Sequence, residues 1–366
     1  MPQDSLLYRI AITLIPGIGN VNAKKLIAWC GGAEAVFRES RKNLQKIPLI
    51  GRQTVELVLK GADLSRAERE IRFIEENNIQ PLWFLDEDYP QRLKMCDDGP
   101  VLLYYKGTAD LNARRVLGVV GTRKATHYGR EMTRKILEEL AGLDVLIVSG
   151  LAYGIDTYAH REAINNGLPT VGVLGHGFDR IYPAKNRKLA AEMENGGGLV
   201  TEFLSGTIPD RENFPRRNRI IAGMCDAVLV VESAAKGGAL ITANIAASYN
   251  RDVFAVPGRV HDPYSEGCNF LIKTNKAALV GSGKDICYQM NWNAPSVKTG
   301  KQTRLFRPLS PDEAVLMKLL EGGKPVSIDE LVMKSGFTPS QCASLLLQLE
   351  FDGMVSSLPG KVYVAV

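Results

Sequence analysis

The chain of 366 residues has the length of two or three domains, with enough polypeptide for a sizeable core. With 45% hydrophobic and 23% charged residues it is neither disordered nor fibrous, and no run of about 18 apolar residues offers a membrane span. The net charge of +5 is mild and lies at one end: residues 1–60 hold nine Lys/Arg against four Asp/Glu, whereas residues 301–366 hold seven of each. The middle is neutral, so an anion site there must come from local clustering. No basic segment followed by an apolar stretch opens the chain, and a signal peptide is not expected. The six cysteines (Cys30, Cys96, Cys225, Cys268, Cys287, Cys342) form no C-x-x-C pair, which disfavours a disulfide scaffold or zinc ribbon and points to a reducing cytoplasm.

Residues 1–80 read as short helices. Leu14-Ile-Pro-Gly-Ile-Gly19, followed by Ala23 and Leu26-Ile27, has the pattern of a helix-hairpin-helix. In such a hairpin Gly17 and Gly19 present backbone N–H groups to a DNA phosphate, with Lys24 and Lys25 close behind. A weaker second copy, Ile47-Pro-Leu-Ile-Gly51-Arg52, carries Leu49 where the first has Gly17. A small helical domain that keeps the hairpin only for packing accounts for the pattern equally well.

Residues 81–292 alternate strand-like apolar runs with helical stretches, in a clear βαβ rhythm from Arg115 onward. Strands are expected at 116–120, 145–148, 170–174, 199–203, 227–231 and 253–256, and helices at 131–140, 155–165, 188–194, 219–224 and 240–249. Short continuous apolar runs separated by helices describe an α/β fold with a Rossmann-like, doubly wound, mostly parallel sheet. Residues 293–309, polar and with two prolines, read as a linker. Residues 310–366 read as three helices and a two-strand wing, resembling a winged helix, opened by the helix-start signature Ser310-Pro-Asp-Glu313. The candidate recognition helix, 338–350, has no Lys or Arg, so the unit suits protein contact or packing better than DNA reading.

Ligands of such sheets bind at the carboxyl ends of the strands. Four turns there are rich in glycine: Gly121-Thr122-Arg123, Ser149-Gly150 running to Gly154, Gly175-His176-Gly177 and Lys236-Gly237-Gly238. Glycine lets backbone N–H groups converge, and a following helix N-terminus adds partial positive charge. Any doubly wound sheet needs glycine turns, but four in one sheet, two of them with Arg123 or Lys236, favour anion binding. The sharpest cluster is Asn213-Phe214-Pro215-Arg216-Arg217-Asn218-Arg219, with Arg211 upstream and Glu212 as the one opposing charge. Arginine forks suit phosphate oxygens, and Phe214 offers a face to a base. A solvated helix start explains the arginines but not the Phe-Pro before them.

Gly281-Ser-Gly-Lys284 is followed by Asp285, so no Walker loop is present, and the first βα turn lacks G-x-G-x-x-G. His127, His160, His176 and His261 have no metal spacing and no nucleophile elbow, and read as structural. Asp156 and Glu202 are candidate carboxylates, although an Asp after a glycine turn usually caps a helix. No catalytic set, metal site or cofactor emerges. The pattern is that of a phosphate binder.

Gly121-Thr-Arg123, Ser149-Gly-Leu-Ala-Tyr-Gly-Ile-Asp156, Asn213-Phe-Pro-Arg-Arg-Asn-Arg219, Lys236-Gly-Gly-Ala-Leu-Ile-Thr242 and Val253-Phe-Ala-Val-Pro-Gly258 occur in order. Together, across residues 85–290, they closely resemble the bacterial DNA-processing protein A family (DprA, also called Smf). The resemblance implies a Rossmann-like core that binds single-stranded DNA, self-associates as a homodimer and helps load RecA in natural transformation. It further implies a phosphate pocket lined by Gly121, Thr122 and Arg123, by Ser149, Gly150 and Gly154, by Phe214, Arg216, Arg217, Asn218 and Arg219, and by Lys236, Gly237 and Gly238. Many members carry Ser where this chain has Gly237, a loss of one hydroxyl. The rival reading is a nucleotide N-glycoside hydrolase or nucleotide sensor on the same type of sheet. The hydrolase needs a glutamate after its glycine loop, and Lys236–Arg251 holds no carboxylate.

Overall fold

The computed structural model describes residues 6–292, 309–320, 325–352, 354–358 and 362–365. Two compact units divide the chain between Pro295 and Ser296. The expected linker lies, but for Leu309, outside the described residues.

The first unit opens with six helices: α1 (Leu6–Leu14), α2 (Asn20–Cys30), α3 (Ala33–Arg38), α4 (Arg41–Leu44), α5 (Arg52–Lys60) and α6 (Leu64–Glu76). Strand β1 (Gln80–Trp83), helix α7 (Gln91–Lys94) and strand β2 (Leu102–Gly107) follow. Then come β3 (Arg115–Val120), α8 (His127–Glu139), β4 (Val145–Ser149), α9 (Ile155–Asn165), β5 (Thr170–Val173), α10 (Arg187–Met193) and β6 (Gly198–Thr201). The unit continues through α11 (Asn213–Met224), β7 (Ala227–Val230), α12 (Gly238–Ser248), β8 (Asp252–Ala255), α13 (Glu266–Lys273), β9 (Ala278–Leu279) and α14 (Gly283–Gln289).

One nine-stranded sheet results, in the order β1-β2-β6-β5-β4-β3-β7-β8-β9. From β6 to β9 the strands run parallel, while β1, β2 and β6 pair antiparallel. Strands β3, β4, β5 and β7 are buried along their whole length, which is why they appear in the sequence as unbroken apolar runs. Succession runs from β3 to β6 in one direction and resumes at β7 on the other side of β3. This reversal opens a crevice at the carboxyl ends of β3, β4 and β7.

Sequence pattern divides the chain near residue 80, but packing does not. Trp83, Val101, Leu102 and Tyr104 share one core with Ile10, Leu26, Val55 and Ile74 of the helices. Buried Glu70 accepts from the Ser205 backbone N–H and hydroxyl and from Arg66, tying α6 to the loop after β6. The two hairpins repeat position for position. In each, an isoleucine carbonyl accepts from the N–H three residues on (Ile18 to Ile15, Ile50 to Ile47, both 3.2 Å), and Gly19 or Gly51 caps the following helix in extended conformation. Gly17 has φ +80° and Leu49 φ +61°, so a leucine adopts the left-handed turn that glycine takes freely.

The second unit packs α15 (Pro311–Leu319), α16 (Ile328–Ser335) and α17 (Pro339–Phe351) on Leu316, Leu331, Cys342, Leu346 and Leu349. Reciprocal capping boxes, Ser310 with Glu313 and Thr338 with Gln341, start α15 and α17. The sheet has three strands rather than two: β10 (Val326–Ser327), β12 (Val362–Ala365) and β11 (Val355–Leu358), in that spatial order. The fold is a winged helix. With two residues, β10 is too short to show a period in the sequence.

Beneath the sheet, His160 is fully buried. The Thr170 hydroxyl donates to the Ile147 carbonyl at 3.1 Å, so it accepts from His160 Nδ1–H at 2.7 Å, and Nε2 is left without a partner. Burial lowers the His160 pKa to about 3, while the unfolded chain protonates near 6.5. Its contribution is therefore fully present above pH 6.5 and is lost as pH falls toward 3, by up to about 1.4 kcal/mol per pH unit. Denaturant titrations at pH 7 and pH 5 should show a larger loss in the wild type than in His160→Asn. Equal losses would contradict this assignment.

Candidate nucleic-acid interface

At the strand reversal lies a cleft of about 640 Å³. Its floor is the β3 turn (Gly121, Thr122, Arg123), one wall is the α12 start (Lys236, Gly237, Gly238), and the opposite wall is the first turn of α11 (Phe214, Pro215, Arg217, Asn218). Arg123, Arg211, Arg217 and Lys236 are the cations of its lining, and Asp156 is the only carboxylate among the described residues there. Helix α12 begins at Gly238 behind Gly237, which offers no side-chain cap, so its first backbone N–H groups are open to a ligand.

Close approach of the turns depends on missing side chains. A Cβ at Gly154, which has φ +78°, would collide with the Thr122 carbonyl, and α9 starts there with the Ile155 N–H donating to Thr122 O at 3.1 Å. A Cβ at Gly150 would run into the Arg217 guanidinium. Arg217 is 3% exposed; it donates to the Val173 carbonyl at 2.6 Å, while its Nε is buried without a partner. Burial lowers its pKa to about 10 against the opposing pull of Asp156, whose own carboxyl is pushed up by burial. Ser149 is fully buried and donates to the Val119 carbonyl at 2.6 Å; it supports the turn and does not line the cleft.

Helix α11 begins at Asn213, with Pro215 in its first turn, where a missing N–H costs nothing. The arginines therefore sit on a helix and point in different directions, about 100° apart per residue. Only Arg217 faces the cleft. Arg216 is exposed and lies over the Phe203 ring at 5.3 Å. Arg219 pairs with Glu202 and donates to the Asp98 carbonyl. Of the expected arginine cluster the structure brings Arg217 into the cleft lining, while Arg216 and Arg219 lie outside it.

Phe214 is half-buried, with Arg123 over its ring at 5.0 Å and the Tyr182 ring 6.1 Å away. Arg211, singled out upstream of the arginine cluster, also lines the cleft, and Tyr182 and Ser233 line it without having been in the sequence-derived set. No charge pattern marks Tyr182 or Ser233. A Cβ at Gly237 would lie 2.8 Å from Ser233 Oγ, so the hydroxyl expected at position 237 has a neighbour already occupying its place. In the helical region, Lys24 is half-buried and donates to the Cys96 and Asp97 carbonyls at 2.9 and 3.2 Å, and burial lowers its pKa. That engagement takes up two of the three donors of the Lys24 ammonium. Lys25 is half-exposed, and Gly17 and Gly19 are exposed.

Fold and cleft define the class: a Rossmann-like α/β protein with a cation-lined cleft at its strand reversal and an appended winged helix. Residues 80–291 match the family model for DNA recombination-mediator protein A, and residues 301–361 match the DprA winged helix domain. Protein Smf of Synechocystis sp. is 32% identical over 99% of both chains. The X-ray structure of DNA processing protein A from Streptococcus pneumoniae superposes with a TM-score of 0.68 at 34% identity, covering 78% of this chain and 99% of that one. DNA processing protein A from Helicobacter pylori, a structure described for its single-stranded DNA binding mode, superposes with a TM-score of 0.53 at 27% identity, covering 58% and 95%. The chain belongs to the DNA recombination-mediator protein A family, known as DprA or Smf. Membership supports a role as a DNA recombination mediator.

Cleft arginines and strut arginines should separate experimentally. Arg219→Ala leaves Glu202, whose side chain is 6% exposed, buried without its ion-pair partner, and should cost about 3–5 kcal/mol of folding stability. Arg123 is exposed, and Arg123→Ala should change stability by about 0.5 kcal/mol or less. Denaturant melts of the two variants check this; equal losses would contradict the assignment.

Proposed function

We propose that the cleft binds the backbone phosphates of single-stranded DNA and that the protein acts as a recombination mediator rather than an enzyme. The observation that carries this reading is the convergence of four cations and an uncapped helix N-terminus beside two aromatic rings, with the single lining carboxylate set against a buried arginine. Phosphate needs the donors, and an unpaired base needs an aromatic face. The single-strand binding described for the Helicobacter pylori relative supports the choice of ligand. No nucleophile–base pair is formed by the lining residues, which favours binding over N-glycoside hydrolysis. We further infer a cytoplasmic homodimer that transfers bound single strands to RecA during transformation. Sedimentation reads the dimer, and the rate of RecA assembly on single strands reads the transfer.

The auxiliary role of the N-terminal hairpin narrows to Gly17, Gly19 and Lys25. Because residues 6–80 share a core with β1 and β2, substitution of Lys25 tests it more cleanly than truncation. The C-terminal stretch 301–366, neutral in charge and with no cation on α17, should contribute little electrostatic affinity.

Affinity for oligothymidylate should exceed that for duplex of equal length and fall steeply with salt. Arg123→Ala and Lys236→Ala should each flatten the logarithmic salt slope by about 0.7. Deleting residues 305–366 should leave affinity within about threefold, under about 1 kcal/mol. Titrations at two salt concentrations check all three. Equal affinity for duplex overturns the reading, and collapse on C-terminal deletion would make the winged helix a DNA reader.

A further inference from the structure

The loop that carries Arg123 into the cleft has little structure of its own. Between β3 and α8, residues 121–126 make one hydrogen bond among themselves, from the Lys124 N–H to the Thr122 hydroxyl at 3.2 Å. What holds the loop comes from the neighbouring strand, just past the end of β7. The Glu232 carbonyl accepts the Thr122 N–H at 2.7 Å. Its carboxylate accepts the Thr126 N–H at 2.9 Å and the Thr126 hydroxyl at 2.6 Å. One residue thus clamps both ends of the loop. Space for it is made by Gly129 in the first turn of α8, where a Cβ would collide with Oε2 of Glu232.

Glu232 is 1% exposed, and among the described residues its carboxylate is held by Thr126 rather than by a cation. A buried carboxylate beneath a cleft lined by cations is costly in two ways. It is removed from water, and its charge opposes an anion above it. The N-terminus of α8 offsets part of the first cost, because a helix start favours a negative group. The second cost stands. Glu232 is absent from the cleft lining, so its contribution passes through the loop it holds. That contribution is a fixed backbone from Thr122 to Thr126 and a fixed origin for the Arg123 side chain. By occupying the start of α8, it also leaves uncapped α12 as the helix start that faces the cleft.

We propose that Glu232 is a positioning residue that orders the β3 turn in advance, so that Arg123 meets a phosphate without paying for order on arrival. The inference rests on the single-strand reading above. It gives the carboxylate a role opposite in sign to its charge. By Coulomb's law alone, neutralising Glu232 strengthens the binding of an anion; through the lost clamp, it weakens that binding.

The test titrates the full chain and its variants with oligothymidylate, at a temperature where denaturant melts show each to be folded. Glu232→Gln keeps the side-chain shape and leaves one Thr126 donor without its acceptor. It should weaken binding by about 2- to 12-fold, the cost of ordering one mobile side chain on association. In an Arg123→Ala background the same substitution should change nothing, since no guanidinium remains to be positioned. In a Lys236→Ala background, on the other wall, its effect should persist in full. Thr126→Val removes the hydroxyl from the loop side and should reproduce the loss, whereas Thr126→Ser keeps it and should bind like wild type. This pair decides the matter if Glu232→Gln does not fold. Unchanged or tighter binding by the folded variants overturns the role, and so does a loss that persists without Arg123. Failure of wild type to bind oligothymidylate instead overturns the single-strand reading itself.

Discussion

Everything at the cleft depends on how closely three strand-end turns can approach one another. The β3 turn, the β4 turn and the first turn of α11 meet where Gly154 abuts the Thr122 carbonyl and Gly150 abuts the Arg217 guanidinium. A larger residue at Gly154 would separate the backbones that carry Arg123 and the α9 start, and one at Gly150 would displace the Arg217 guanidinium. The converging N–H groups and cations are a consequence of that contact. Strand order supplies the crevice, and the missing side chains let the turns at its base approach one another.

Closing the crevice carries an electrostatic cost. Arg217 is buried with an unpartnered Nε, and Asp156 beside it is equally removed from water. The two attract each other through space rather than as a direct ion pair among the described residues. That attraction offsets part of the carboxylate's repulsion of an anion and leaves a guanidinium with unused donor capacity on the wall. Arg219, two residues on, is on another face of the helix and spends its charge on Glu202. Neighbouring arginines thus do opposite work because a helix turns them apart.

That division shows what the sequence could reveal. The parallel strands were legible because burial on both faces leaves unbroken apolar runs, as in Val116–Val120 and Val145–Val148. The turns were legible because glycine beside a cation at a strand end has few other uses. The direction of Arg216, Arg217 and Arg219 was not, since α11 starts at Asn213 rather than at Arg219 and its register decides which guanidinium faces the cleft. Tyr182 was invisible for a different reason. Its place is set by buried His176 and Asn186 across the loop after β5, a tertiary arrangement with no period. The short strands β1, β9 and β10 carry too few residues to show an alternation.

The helical region makes the same point about charge. Its two hairpins share turn geometry so closely that Leu49, 85% exposed, is held in a left-handed conformation that costs a non-glycine residue about 1–2 kcal/mol. Part of the basic set of this region is engaged within the fold. Arg9 pairs with Asp86, Arg38 with Glu34, Arg41 with Glu56, and Lys24 is bound to the Cys96 and Asp97 carbonyls. A formal charge of this size overstates the field offered to a polyanion, because charges neutralised within the fold release no counterions from DNA. Exposed Lys42, Lys46, Arg52 and Lys60 keep charge on the surface of the helical region, while Arg123, Arg211 and Lys236 are the exposed cations of the cleft lining. Net charge counts both groups alike, and only the convergence of cations on one cleft distinguishes them.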